Sequence, residues 1–217
     1  MLIEIFTGGP FLQNGYIATC QLSGECVIVD PGAATPEMLK HLDEQKRIVV
    51  AVILTHGHFD HIEGLGEVRK YIDAPVWMHP LDLDLFTNFP TQAAQFGVQG
   101  EALDLPDKEL LGNGESINFG ELFLEVHHTP GHSPGHVILV NKDENIALVG
   151  DLIFRGSVGR TDLPGGDAKI LFSSIKESIL TLTDNVQLFS GHGPVSTVGY
   201  ERETNPFLAG SYMENSL

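Results

Sequence analysis

Basic residues are scarce in this chain. Lys and Arg number 12 against 29 Asp and Glu, a formal net charge of -17 at pH 7, and such a field repels phosphate backbones and anionic lipid surfaces. Nucleic acid and membrane are therefore not expected as partners, although a bound pair of divalent cations would reverse the field locally. Cysteine is nearly absent. Cys20 and Cys26 flank the turn-like "QLSGE"; a hairpin could bring them together, but two free thiols in a reducing compartment is the expectation. No apolar run approaches the about 20 residues of a membrane-spanning helix. The opening "MLIEIFTGGPFLQNGY" has no basic region followed by an apolar stretch, so the expected location is cytoplasmic. What is present is a hydrophobic fraction of 42% over 217 residues, enough for one large core or two small ones, and ten histidines.

Patterning predicts an α/β chain. "LIEIF" reads as a strand, and "NGYIATC" with "ECVIVDPG" as a hairpin closed near Ser23 and Gly24. From Thr35 to Lys46, Met38, Leu39 and Leu42 fall at helical spacing, with Thr35 as the expected cap and Pro36 at the first helical position. "IVVAVILT", 48 to 55, is short and almost wholly aliphatic, as a strand buried on both faces should be. "IEGLGEVRKYI" resumes helical spacing and "PVWMH" is a further strand. "PLDLDLFTNFPTQAAQFG" fits either a strand or a broken helix over the core. Glycine-punctuated strands follow to "EVHHTPG", then "GHVILV" and "NIALVGDLIF" around a polar turn at Lys142 to Asn145. A helix is predicted from about Asp167 to Leu182, with Ile170, Leu171, Ile175, Ile179 and Leu180 on its apolar face, and "VQLFSGHGP" is a last buried strand. "GYIATC...ECVIVDPG" corresponds loosely to "GHVILV...NIALVGD". The expectation is one domain over 1–217 with pseudo-repeat halves of roughly 1–110 and 111–217, two mixed sheets face to face and helices outside.

Four of these strands end in ligand-type side chains. "VAVILT" runs into His56, His58, Asp60 and His61; "LFLEVHHTPG" into His132; "IALVG" into Asp151; and "VQLFSG" into His192. A lone histidine after a strand is more often a hydrogen-bonded residue than a ligand. Together, however, five histidines and two aspartates divide without remainder between two ions about 3.5 to 4 Å apart, the separation at which metals share a nucleophile. His56, His58, His132 and Asp151 would take one ion, and Asp60, His61, His192 and Asp151 the other. Asp151 bridges in this division because a carboxylate has two oxygens, whereas an imidazole keeps one free nitrogen once the other is tied down. Gly57 is expected to ease the bend that turns His56 and His58 inward.

These motifs carry a resemblance. "THGHFDH" at 55–61, His132 in "HTPGHSPGH", Asp151 in "VGD" and His192 in "SGHG" match the signature and order of the metallo-β-lactamase fold superfamily over nearly the whole chain. That resemblance implies a four-layered αββα sandwich and the seven ligands just named. "GDLIFRGSVGRTDLPGGD", 150–167, is similar to the small glyoxalase II-like proteins, bacterial hydroxyacylglutathione hydrolases. β-Lactamases with a cysteine ligand fit less well, since neither Cys20 nor Cys26 lies near a ligand loop. Larger glyoxalase II enzymes add a C-terminal helical region that contacts glutathione, and no separate domain of that kind is expected here.

The expected activity is hydrolysis of a thioester such as S-D-lactoylglutathione, by a hydroxide bridging two divalent ions and held by Asp151, with Asp60 aiming it. Zinc is the expected metal, with iron and manganese also suited to histidine and carboxylate ligands. Asp30 and Thr55 are candidates to hold ring N–H groups in place. Arg160, in "GSVGRTD", is a candidate substrate contact, with a salt bridge to Asp162 as its other reading. His41 and His79 have no ligand cluster beside them in sequence, and His127, His128 and His136 are expected to pack or to support ligands from behind rather than to ligate. Two rival readings stand beside hydrolysis: an iron-dependent persulfide dioxygenase, a family that resembles this one and shares "GRTD", and a non-enzymatic metal-binding protein.

Overall fold

A computed structural model of the chain describes residues 1–208; the stretch 209–217, at the end of the expected domain, lies outside the described residues. The first half opens with β1 (Leu2–Gly8), β2 (Gln13–Thr19), β3 (Glu25–Val29) and helix α1 (Thr35–Gln45). It continues through β4 (Ile48–Ile53), α2 (Phe59–Ile62), α3 (Leu65–Tyr71) and β5 (Val76–Met78). A 3-10 turn (Pro80–Asp82), α4 (Leu83–Thr87), α5 (Phe89–Gln95) and β6 (Lys108–Glu109) complete it, so the stretch left open between strand and helix is a broken helix. The second half holds β7 (Asn113–Phe119), β8 (Leu122–His128), β9 (Val137–Asn141) and β10 (Ile146–Gly150). It closes with the small hairpin β11 (Ile153–Phe154) and β12 (Ser157–Val158), α6 (Ala168–Ser174), β13 (Gln187–Ser190), β14 (Ser196–Thr197) and α7 (Val198–Thr204).

Strands β1 to β6 form one six-stranded sheet in chain order, and a second runs β14-β13-β10-β9-β8-β7. Each is mixed. In the first, β1, β2 and β3 are antiparallel and β3 to β6 parallel; in the second, β10 and β13 are parallel and the other neighbours antiparallel. Alternation along the strands builds three layers of packing. Tyr16, Ala18, Val27, Val29, Ala51 and Ile53 meet Leu124, Val126, Leu139 and Leu148 between the sheets. The opposite faces, Ile17, Ile28 and Val52 on one side and Ile138, Ala147 and Val149 on the other, pack on the outer helices. The result is the αββα sandwich, with the central strands buried on both faces.

The same alternation decides the cysteines. Cys20 points between the sheets and Cys26 into the outer layer; both are free, because Cys26 pairs with Thr19 and the next residue, Cys20, faces the other way. Two local expectations fail. Thr35 is the first residue of α1 rather than its cap, and its hydroxyl donates to the Gly32 carbonyl at 2.7 Å. The helix from Asp167 is capped by that aspartate, whose carboxylate accepts from Ile170 N at 3.1 Å, but it passes into a π turn at Ile175–Ile179 and leaves Ile170 exposed. The i, i+4 stripe of Leu171, Ile175 and Ile179 is the face that packs. Among the described residues no helix is long and apolar enough to cross a membrane.

Topology gives the loops one address. Strands β8, β10 and β13 run in the same direction, as do β3 and β4, so residues following them gather at one edge of the sandwich. Val137 N donates to the Thr55 carbonyl and Asn14 N to the Gly191 carbonyl, each at 2.8 Å, which sews the two sheets together there.

Candidate metal centre

All seven side chains singled out by sequence converge at that edge. His56, His58, Asp60 and His61 follow β4, His132 follows β8, Asp151 follows β10 and His192 follows β13. His58 Nδ1 lies 2.9 Å from His132 Nε2, which is 3.2 Å from His56 Nε2. On the other side, His192 Nε2 is 3.3 Å from Asp60 Oδ2, and His61 Nε2 is 3.3 Å from Asp151 Oδ1. Asp151 stands between the two groups: its Oδ2 is 3.6 Å from His132 Nε2 and 3.5 Å from His192 Nε2. His56, His58 and His132 form one group able to hold an ion, and Asp60, His61 and His192 another, with ligand atoms within 4.8 Å of one another in each.

Hydrogen bonds behind the rings fix which nitrogen faces inward. Thr55 Oγ1 donates to Asp30 Oδ2 at 2.6 Å, so its contact of 3.0 Å with His56 Nδ1 must be one in which the ring donates. His61 Nδ1 donates to Asp30 Oδ2 at 2.9 Å, His132 Nδ1 to the Arg160 carbonyl at 2.8 Å and His192 Nδ1 to the Phe11 carbonyl at 3.0 Å. In these four rings Nε2 is thereby the nitrogen turned towards the centre. Asp30 and Thr55 thus sit where sequence placed them. Asp30 also lies within ligand distance of His56 and His61, but its oxygens already accept from Thr55 N, Thr55 Oγ1 and His61 Nδ1, so it orients rings rather than ligating. Those three donors hold Asp30 at φ 50, a left-handed conformation aspartate tolerates better than most residues.

His136 supports the centre from behind, as expected, and Asp82 plays a part the sequence did not indicate. His136 is fully buried and accepts from Asp151 N at 3.0 Å, while its Nδ1 bonds the Thr129 hydroxyl at 2.9 Å; it holds the backbone of the central aspartate. Asp82, also fully buried, accepts from Gly57 N at 2.9 Å, Ser133 Oγ at 2.6 Å and Gly135 N at 2.5 Å. One carboxylate thus ties the His56–His61 loop to the His132 loop. Gly57 serves this junction by its size: a Cβ there would meet Leu85 Cβ at 2.9 Å and the Asp82 carbonyl at 3.0 Å, and its φ is not in the left-handed region. The remaining histidines lie elsewhere. His41 meets Glu4 at 2.6 Å, His127 meets Glu125 at 3.1 Å, and His79 stacks on His128 at 4.1 Å between centroids.

The centre fits divalent cations. The ligand-type atoms face each other at 2.9–3.6 Å, spacings that match the about 3.3 Å edge of a tetrahedron with bonds of about 2.05 Å. His61 Nε2 and Asp151 Oδ1 are buried facing each other at 3.3 Å without a well-formed hydrogen bond, a pair that an ion would satisfy. Burial pushes His56 down and His58 down to about 3, so both stay neutral, the state that ligates. Burial opposes ionisation of Asp151, yet His61, His132 and His192 hold its carboxyl well below the usual range. His61 is raised: burial lowers it, but Asp151, Asp30 and Asp60 outweigh that, a concentration of negative charge that a cation would satisfy.

Gly191 keeps the space open. A Cβ there would fall 2.2 Å from Asp151 Oδ1 and 2.5 Å from His61 Cε1. Gly191→Ala is accordingly expected to lower metal content while far-ultraviolet circular dichroism keeps its wild-type form; full metal content in that variant would show that the ions sit elsewhere.

The centre opens into a cleft of about 280 Å³ lined by Phe11, Phe59, Phe96, Phe154, Val158, Leu163 and Arg160, with Gln92 and Ser157 among them. Arg160 makes the salt bridge named as its other reading: Nε and Nη2 donate to the two oxygens of Asp162 at 2.8 and 2.7 Å, on the surface.

Comparison with known proteins follows this geometry. A family model described as the metallo-beta-lactamase superfamily matches residues 8–192. The chain is 34% identical over 213 residues to the hydroxyacylglutathione hydrolase GloC of Haemophilus influenzae, covering 96% of this chain and 98% of that one. The solved structure of BLEG-1 B3 metallo-beta-lactamase is 35% identical with a TM-score of 0.89, covering 96% of this chain and all (100%) of that one. TTHA1623, solved in a di-iron-bound form, is 39% identical with a TM-score of 0.86, at 94% and 100% coverage. A chain bearing a β-lactamase name is thus among the similar ones.

Proposed function

This chain belongs to the metallo-beta-lactamase superfamily, and we propose that it is a metal-dependent hydrolase of thioesters, of the hydroxyacylglutathione hydrolase type. The observation that carries the reading is the convergence of four Nε2 nitrogens, His58 Nδ1 and the carboxylates of Asp60 and Asp151 at the floor of an open cleft. A closed structural site needs only one such set and no cleft. In this reading His56, His58, His132 and Asp151 hold one ion, and Asp60, His61, His192 and Asp151 the other. Similarity to GloC supports the thioester. Zinc is the proposed metal, and the di-iron form of TTHA1623 favours iron as its alternative.

When bound, two divalent ions supply a water of pKa lowered to about 7 and a Lewis acid for a carbonyl oxygen. The chain's own residues do the rest. Asp151 keeps the two ligand groups in register, held at its main chain by His136. Asp60 directs Oδ2 at His192, leaving Oδ1 to accept a hydrogen bond from the attacking water and aim its lone pair. Because a thiolate leaves readily, the residues need not include a strong general acid. Arg160 contributes through its carbonyl, which orients His132. Its guanidinium is the one cation among the residues lining the cleft, and its solvent-exposed partner Asp162 can be exchanged for a substrate carboxylate.

The test is an assay of the metal-loaded protein under argon. Hydrolysis of S-D-lactoylglutathione or another thioester should proceed without oxygen, stop on chelation and return with added zinc or iron. Sulfite production from glutathione persulfide with oxygen uptake, or turnover of a chromogenic β-lactam alone, would replace this reading by another.

A further inference from the structure

One side of the cleft is a wall of three phenylalanines from three separate segments. Phe59 stacks on Phe96 at 4.9 Å with 17° between planes, and Phe11 stands edge-on to both, at 5.4 and 5.2 Å with angles of 84° and 85°. Phe59 is buried, but Phe11 is 38% and Phe96 46% exposed. Large apolar side chains arranged in favoured aromatic geometry and left facing a cleft mark a surface that something apolar covers. The wall is fixed relative to the metal centre. Phe59 is flanked in sequence by His58 and Asp60, and the Phe11 carbonyl accepts the Nδ1 proton of His192. One of the two groups bonded to a carbonyl carbon over the centre can therefore lie against this wall.

Size and polarity narrow the occupant. At about 280 Å³ the cleft lies near the lower end of the about 300–1,000 Å³ of ligand sites, room for an acyl group and the sulfur beside the centre. The wall offers no hydrogen-bond partner to a hydroxyl on the acyl chain. The Nε2 of Gln92 beside it already donates to the carbonyls of Gly57 at 3.2 Å and Leu85 at 2.6 Å.

We infer that Phe11, Phe59 and Phe96 form the acyl pocket, and that the thioesters this chain selects carry an apolar acyl group, aromatic ones above all, with small hydroxyacyl thioesters the poorer substrates. The inference rests on the thioester reading above and names its substrate class.

Paired thioesters of one neutral thiol, S-phenylacetyl- and S-D-lactoyl-N-acetylcysteamine, isolate the acyl group. The metal-loaded protein should favour the phenylacetyl ester in kcat/KM by at least about tenfold, since a single methylene in an apolar pocket discriminates by about 10–200-fold. Phe96→Ala, at a half-exposed position that the fold does not depend on, should cut that ratio about tenfold, and Phe96→Leu should keep part of it. A wild-type ratio near one or favouring lactoyl overturns the inference, as does a ratio unmoved by both Phe96→Ala and Phe11→Ala. Calorimetry with the uncleavable S-phenethyl-N-acetylcysteamine separates the two levels. Binding that Phe96→Ala weakens supports the pocket even where no thioester turns over, in which case the hydrolase reading alone fails. Absence of binding overturns the pocket.

Discussion

Asp151→Ala is expected to lose both bound metals and at least about 10³-fold in kcat/KM, because the charge stabilisation it organises is worth several kcal/mol and each 1.36 kcal/mol is tenfold in rate. Its carboxylate faces both ligand groups, 3.3 Å from His61 on one oxygen and 3.5 and 3.6 Å from His192 and His132 on the other. With it gone, five histidines and Asp60 keep donors but lose the negative charge that offsets two dications. Asp151→Asn keeps the shape and removes the charge, so it should behave as alanine does in metal content while retaining more stability. Elemental analysis alongside turnover checks both variants. Two retained ions with unchanged turnover would mean that Asp151 does not bridge.

Asp82→Ala is expected to destabilise the protein by about 3–5 kcal/mol. The substitution strands three buried donors, Gly57 N, Ser133 Oγ and Gly135 N, each costing about 1–3 kcal/mol when left unsatisfied. For a chain of this size that lowers Tm by about 10 °C, measurable by denaturant or thermal unfolding. A purely structural role would stop there. Because Asp82 joins the loops that carry His56, His58 and His132, metal affinity should fall as well, well below the midpoint of unfolding, and kcat with it. Unfolding at the wild-type midpoint, or full metal affinity in the still-folded variant, would dismiss Asp82 as the clasp between those loops.

The contrast between these two aspartates shows what the sequence made legible. Asp151 was readable because it ends an aliphatic strand, and His56–His61, His132 and His192 end others; a strand followed by a ligand-type turn is a local pattern, and parallel strands bring such turns together. Asp30 and Thr55 were readable for the same reason, standing at the ends of neighbouring strands. Asp82 was not. In "LDLDLF" its alternation reads as an amphipathic surface, and its partners lie 25, 51 and 53 residues away. The aromatic wall was hidden likewise, since Phe11, Phe59 and Phe96 come from a loop, a short helix and the end of another, with no spacing in common. Thr35 and Ile170 failed for a smaller reason: the start of a helix and the edge of its apolar stripe depend on one residue of phase, which tertiary packing sets.

The central claim is a two-ion centre built by seven side chains, and anomalous diffraction from crystals of the metal-loaded protein tests it most directly. Two peaks about 3.5–4 Å apart are expected, one amid His56, His58 and His132, the other amid Asp60, His61 and His192, with Asp151 touching both. A single peak, or two peaks of which neither contacts Asp151, would contradict the account.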